Sequence, residues 1–159
     1  MNRKGFTLIE LLAIIILMGL IAVLVMPSIV DSLNKSKETS YKVLINNIKV
    51  AAETYYEECE YGDLSDQGKY GDYDCKIETD PNSNNYIEIT LSDLANTGFL
   101  SVKDVDENNK KQVLDPRNNN NISDCQITIT KNIDEKYKVT YTITPNGGTN
   151  CPTEYGSVE

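Results

Sequence analysis

One acidic side chain, Glu10, stands inside the most apolar stretch of this sequence. Between Phe6 and Met26 the only polar side chains belong to Thr7 and Glu10. A carboxylate is costly to place in hydrocarbon, so it must lie near the headgroups or find a cationic partner. The simplest interpretation is a carboxylate that reaches the headgroups from an ordinary membrane anchor.

Four cysteines follow the apolar stretch, at Cys59, Cys75, Cys125 and Cys151. A zinc site is disfavoured because the sequence has no Cys-x-x-Cys pair and no histidine. Two disulfides are the natural interpretation for an exported domain, and four cysteines allow three connectivities. We favour Cys59 with Cys75 and Cys125 with Cys151, because each bond would tie an irregular loop to a regular element.

The acidic segment 104–108 is the one candidate for a calcium loop. An EF-hand counted from Asp104 would need Gly and Glu where the chain has Asn109 and Asp115. We interpret the segment as a solvated acidic loop and predict no metal and no cofactor. An enzyme is also disfavoured, since the chain has no histidine and no recognisable Ser or Cys nucleophile motif.

The element that must position Glu10 is a helix long enough to span a bilayer. About 21 apolar residues at ~1.5 Å each reach ~31 Å, which matches the hydrocarbon core. Arg3 and Lys4 precede the segment, so the N-terminus is expected in the cytoplasm and the rest outside. A cleaved secretory signal fits less well, because the apolar stretch is long, contains a carboxylate and lacks a small-x-small cleavage site.

The segment Lys4-Gly5-Phe6-Thr7-Leu8-Ile9-Glu10-Leu11-Leu12 resembles the cleavage and methylation signature of type IV prepilins. The resemblance implies that a prepilin peptidase cuts between Gly5 and Phe6 and methylates the new amine of Phe6. It also implies that Glu10 of one subunit meets the Phe6 amine of a neighbour in a helical filament. A misaligned charge would then stay unpaired, so the pair would set the register of assembly.

Beyond the span, Pro27 predicts a bend or local unwinding near residues 23–27. The helix should resume from about Ser28 to Glu60, because one stripe recurs at three- and four-residue spacing and should face a globular core. Its members are Leu33, Lys37, Tyr41, Leu44, Ile48, Ala51, Tyr55 and Cys59. The predicted organisation is a leader at 1–5, a transmembrane and assembly half at 6–27, an amphipathic half at 28–60 and an extracellular head with disulfides at 61–159.

The head should be a small antiparallel sheet packed on the long helix, which gives a pilin-like α+β fold. Residues 61–85 show no regular element, residues 86–90 alternate like a strand, and residues 91–96 resemble a short helix capped by Thr90 and stopped by Gly98. Residues 126–130 and 137–143 predict a hairpin with a turn at 132–135. Its apolar face should contain Ile127, Ile129, Tyr137, Val139, Tyr141 and Ile143. Residues 91–116 also resemble the heads of Gram-positive pilins.

The favoured function is a structural subunit of an extracellular type IV pilus-like filament used in adhesion, motility or surface interaction. Expected partners are other copies, prepilin peptidase, an assembly platform, minor pilins and, before assembly, the cytoplasmic membrane. A pseudopilin of a type II secretion-like or competence DNA-uptake apparatus is the alternative, and a non-polymerising single-pass surface protein is a more distant one. Removing Arg3 and Lys4 would leave 13 basic against 24 acidic residues, which disfavours direct nucleic-acid binding.

Overall fold

The computed structural model describes residues 6–61, 75–79, 84–133, 138–147, 151–153, 155 and 157–158. Contacts between backbone positions divide the chain into two units, residues 1–39 and residues 40–159. This boundary falls inside the segment 28–60 that the sequence analysis treats as one amphipathic half. Each unit is described separately below.

Helix α1 spans Leu8–Tyr61, which agrees with the predicted long helix to within one residue at each end. Leu, Ile, Ala and Met dominate its first half, and most of these residues favour helix. Pro27 lies inside α1, and the helix is continuous through it. The local unwinding expected at Pro27 is therefore not seen, while a bend at this position stays a prediction.

The first unit exposes its apolar side chains. Every residue from Phe6 to Thr39 is exposed, including the aliphatic side chains of the predicted span. Leu33 belongs to the stripe that was predicted to face the head, and it is 57% exposed. The prediction is wrong for Leu33, because the part of α1 that packs against other elements begins further along the helix.

In the second unit, the last turns of α1 form one side of the core. The stripe is partly buried at Tyr41 and Leu44 and fully buried from Ile48 onward. Buried residues on this part of α1 are Ile48, Ala51, Ala52, Tyr55, Tyr56 and Cys59. The small side chains of Ala51 and Ala52 leave room for the sheet to approach the helix closely, as close packing requires.

The head contains a five-stranded antiparallel sheet with the order β1-β2-β3-β4-β5. The strands are β1 Glu78–Thr79, β2 Asn85–Thr90, β3 Gln126–Ile133, β4 Val139–Pro145 and β5 Ser157–Val158. Its centre is a row in which Ile129 pairs with Ile87 on one side and Ile143 on the other, all three buried. The predicted α+β class is confirmed.

The predicted hairpin of β3 and β4 is confirmed, with two corrections. Strand β3 continues to Ile133, so residues 132–133 pair in the sheet and do not form the turn. Val139 is 38% exposed and lies outside the core, because it sits at the open end of the hairpin. Tyr137 and the rest of the predicted turn fall outside the described residues.

Helix α2 spans Leu91–Asn96 and follows β2 directly, as predicted. Thr90 caps it: its hydroxyl accepts the Asp93 amide, and the Asp93 carboxylate accepts the Thr90 amide and hydroxyl. Gly98 adopts φ +91°, a left-handed conformation that glycine tolerates, and the helix has ended before it. Strands β1 and β5 were not predicted, and β1 lies in the segment that was expected to lack regular structure.

Candidate functional site

The N-terminus of α1 is built by Thr7 and Glu10. The Thr7 amide and hydroxyl both donate to Glu10 Oε2 at 2.9 Å, and the Glu10 amide donates to Thr7 Oγ1 at 3.4 Å. These are the reciprocal hydrogen bonds of a capping box, in which a carboxylate three residues beyond the cap satisfies amides that the helix itself cannot. Glu10 therefore has hydrogen-bond partners within its own chain.

The sequence analysis did not predict this arrangement of Thr7 and Glu10. The signal was present, because a Thr-x-x-Glu spacing at the start of an apolar run is the signature of a capping box. Phe6 precedes the cap and is 80% exposed, so the residue that would become the new N-terminus is accessible. Gly5, and with it the predicted cleavage point, lies outside the described residues.

The first half of α1 has the composition of a membrane-spanning segment. Within the described residues it is the one helix that is long and apolar enough, with a mean hydropathy of 3.1 over its best 18-residue window. None of that window is buried against the rest of the chain. Exposed apolar surface of this extent must be covered by lipid or by other protein chains. The segment is thus suited to membrane anchoring before any assembly.

Two disulfides close irregular parts of the head. Cys59, near the end of α1, is joined to Cys75, and Cys125, at the start of β3, is joined to Cys151. The Cα atoms are 5.6 Å apart in each pair, which is an ordinary separation for a disulfide. This is the pairing that the sequence analysis favoured, and each bond links an irregular segment to a regular element.

A charged cluster connects the end of α1 to strand β3. Lys131 Nζ lies 2.6 Å from Glu60 Oε2 and donates to Tyr61 Oη at 2.9 Å. Burial alone would lower the pKa of Lys131, but these hydrogen bonds outweigh it and the pKa is raised. Nearby, Tyr141 Oη donates to Glu57 Oε1 at 3.4 Å, and burial followed by the charge of Glu57 raises the pKa of Tyr141 to about 12. The cluster is structural, because its groups bind one another.

The acidic segment proposed as a weak calcium candidate forms a tight turn. Asp106 Oδ1 accepts the backbone amides of Asn108 and Lys110, and Val105 pairs with Lys111 across the turn. Asn109 has φ 63°, a left-handed conformation that asparagine tolerates better than most residues. Among the residues described, no three His, Cys, Asp or Glu side chains cluster as metal ligands. The Asp106 carboxylate thus serves the backbone of its own turn.

Comparison with known families adds one match. The prokaryotic N-terminal methylation motif matches residues 1–26, the segment that holds the capping box and most of the apolar helix. No curated protein and no solved structure matches the chain. The match gives no support for an origin among Gram-positive bacteria, which stays a prediction from residues 91–116.

The matched motif is that of pilins and pseudopilins, which are structural and non-enzymatic proteins processed at this site. The fold agrees, since a long N-terminal helix with an exposed apolar half is followed by a helix segment packed on an antiparallel sheet. By this motif and this fold, the chain is a protein of the type IV pilin and pseudopilin family.

Proposed function

We propose that this chain is the precursor of a filament subunit that is cut between Gly5 and Phe6, methylated on the Phe6 amine and assembled outside the cell. The observation that supports it most directly is the methylation motif over residues 1–26. Prepilin peptidase is the enzyme that the family implies. The apolar half of α1 would anchor the subunit in the cytoplasmic membrane, with its N-terminus inside, until assembly.

Polymerisation follows from the exposed apolar half of α1. Outside the membrane, the surface of this segment can be removed from water only by other apolar surfaces, and the same segments of other subunits supply them. A bundle of such helices needs no matching chemistry beyond apolar contact. The apolar half therefore supplies affinity with little specificity for one register.

Glu10 would supply the register. Processing would create an α-ammonium at Phe6, and a bundle interior penalises any carboxylate that fails to meet a cation. The Phe6 amine of a neighbouring subunit is the cation proposed for Glu10. An assembly platform and minor pilins are the further partners that a filament of this family requires.

Among filament types, we favour a pilus-like filament at the cell surface over a secretion pseudopilus or a competence fibre. The chain carries 15 Lys and Arg against 24 Asp and Glu, so its field repels nucleic acid and argues against direct DNA uptake by this subunit. Both disulfides lie in the head, where an oxidising exterior would maintain them.

The test separates the charge of Glu10 from its role in the cap. Glu10→Gln keeps an oxygen that can accept the Thr7 amide and hydroxyl, but it removes the charge. Thr7→Ala keeps the charge and removes the hydroxyl. We expect Glu10→Gln to be trimmed and methylated normally yet to form no regular filaments, whereas Thr7→Ala should still assemble. Glu38→Gln is the matched control, since Glu38 is an exposed acid further along the same helix.

Two measurements decide the outcome. Intact mass of the purified protein reports loss of the first five residues and gain of one methyl group, and electron microscopy of sheared cells reports filaments. Regular filaments from Glu10→Gln would refute the register role. A wild-type chain that keeps residues 1–5 and stays monomeric would instead support the single-pass surface protein. Gly5→Val should leave an unprocessed precursor in the membrane.

A further inference from the structure

A basic cleft lies on the second unit, beside the part of α1 that begins to pack on the head. It has a volume of about 440 Å³. Residues on its two sides are Tyr41, Lys42, Ile45 and Lys49 from α1, with Arg117 and Thr153 facing them from the loops. Lys42 and Lys49 are seven residues apart, two helical turns, and so share one face of α1.

Arg117 is held rigidly at the edge of the basic cleft. Its Nε and Nη2 atoms bind the Asp115 carboxylate at 2.7–3.2 Å, and its Cζ atom lies 3.4 Å from the centroid of the Tyr41 ring. Asp115 is 2% exposed and balances the charge of Arg117. The excess positive charge of the cleft therefore comes from Lys42 and Lys49.

Neither of these two lysines has an ion-pair partner in the part of the chain that the structure describes. No carboxylate oxygen there lies within 4.0 Å of Lys42 or Lys49. This is unexpected in a unit whose residues 40–159 contain 11 Lys and Arg against 21 Asp and Glu. Two unpaired cations beside a preformed cleft indicate that it receives carboxylates from another molecule.

We propose that the basic cleft binds acidic side chains from the head of a second copy of this chain within the filament. The inference rests on the proposed function, because the filament brings the heads together. Two heads of the same acidic charge repel each other in solution, but bundled apolar helices would hold them at an effective concentration in the millimolar range. Under that constraint, weak charge contacts are sufficient and also orient the heads.

A nucleic acid or another free polyanion is the competing occupant, and the charges disfavour it. A polyanion has no tether to the filament, so it would meet the repulsive field of the whole acidic head before it reached Lys42 and Lys49. A single acidic side chain from a neighbouring head presents far less charge to the cleft. The lining also includes Ile45, which is compatible with the aliphatic part of an acidic side chain.

The first experiment is cross-linking within filaments assembled from an equal mixture of normal and heavy-nitrogen-labelled full-length subunits. A carbodiimide joins a lysine directly to a carboxylate in contact with it. We expect peptides in which a normal Lys42 or Lys49 is joined to a heavy acidic residue, or the reverse. Cross-links from these lysines only within one chain, or none at all, would overturn the proposal.

The second experiment compares two double charge reversals with equal net charge. Lys42→Glu with Lys49→Glu should reduce the filament fraction recovered by sedimentation by roughly fivefold or more per reversed contact. Lys103→Glu with Lys110→Glu, at exposed lysines outside the cleft, should assemble like the wild type. Equal yields of both variants would overturn the proposal, as would a cleft variant that assembles normally but loses binding of short single-stranded DNA. A trimmed wild type that never sediments would refute the proposed function, and this inference with it.

Discussion

The ion pair between Lys131 and Glu60 joins the end of α1 to strand β3, and its removal tests how the head is fastened to the helix. We expect Glu60→Gln to destabilise the head more than Lys131→Met does. The reason lies in accessibility to water: the Lys131 side chain is 8% exposed, whereas that of Glu60 is 21% exposed. The charge left behind by Glu60→Gln is the one that water reaches less easily.

The magnitude lies between two limits. Breaking an exposed pair typically costs about 0–1 kcal/mol, and leaving one charge of a fully buried pair costs about 3–5 kcal/mol. Because both side chains are mostly but not fully covered, we expect about 2 kcal/mol for Glu60→Gln and about 1 kcal/mol for Lys131→Met. For a head of this size, 2 kcal/mol corresponds to a decrease in Tm of about 8 °C.

The assay is thermal unfolding of the full chain in detergent, followed by near-ultraviolet circular dichroism of tyrosine. The chain has ten Tyr and no Trp, and Tyr55, Tyr56, Tyr141 and Tyr155 are buried in the head, so this signal reports head packing. Lys103→Met is the control at an exposed lysine. The double variant should be more stable than Glu60→Gln alone. Equal and negligible shifts for both single variants would refute the reasoning from burial.

Three further predictions concern the head. Hydrogen bonds from Arg117 lower the pKa of Asp115 against the opposing effect of burial, so the stability they provide is present above about pH 4 and lost as the pH falls through the folded-state pKa. Asp115→Asn should therefore cost about 2 kcal/mol at pH 7 and flatten the acid dependence of Tm, and an unchanged dependence would contradict this. Tyr155→Phe should change stability by less than about 1 kcal/mol in denaturant titration, since the buried hydroxyl has no hydrogen-bond partner among the residues described. Replacing Cys125 and Cys151 together by Ser should lower stability by about 3 kcal/mol, because their bond spans 26 residues, and reduction of the wild type should reproduce part of that loss.

Much of the fold could be predicted because its main elements have clear periods. The apolar run and the stripe along α1 repeat at helical spacing, and β2, β3 and β4 alternate with period two. Strands β1 and β5 could not be found this way, since two residues are too few for a period. They exist because β2 and β4 offer them unpaired backbone groups.

Predictions failed where a pattern identifies a face but not what covers it. Leu33 continues the apolar stripe by spacing, yet the packed part of α1 starts later, near Tyr41. Ion pairs such as Lys131 with Glu60, 71 residues apart, depend on the final fold and leave no local signal in the sequence. The Thr7 cap is different, because its spacing was readable and the carboxylate of Glu10 was assigned only to a partner chain.

The cap at Thr7 changes what assembly must achieve. Without it, Glu10 would be a bare charge whose pairing could itself drive polymerisation. With it, the carboxylate already accepts the Thr7 amide and hydroxyl at 2.9 Å, so a neighbouring amine must add to these bonds or replace them. The net gain from the new pair is then modest, and removal of the apolar half of α1 from water must provide most of the driving force. Misaligned neighbours would cover the apolar surface almost as well, but they would place an ammonium in the bundle with no carboxylate opposite. Glu10 therefore selects among registers that the apolar half alone would treat as nearly equivalent.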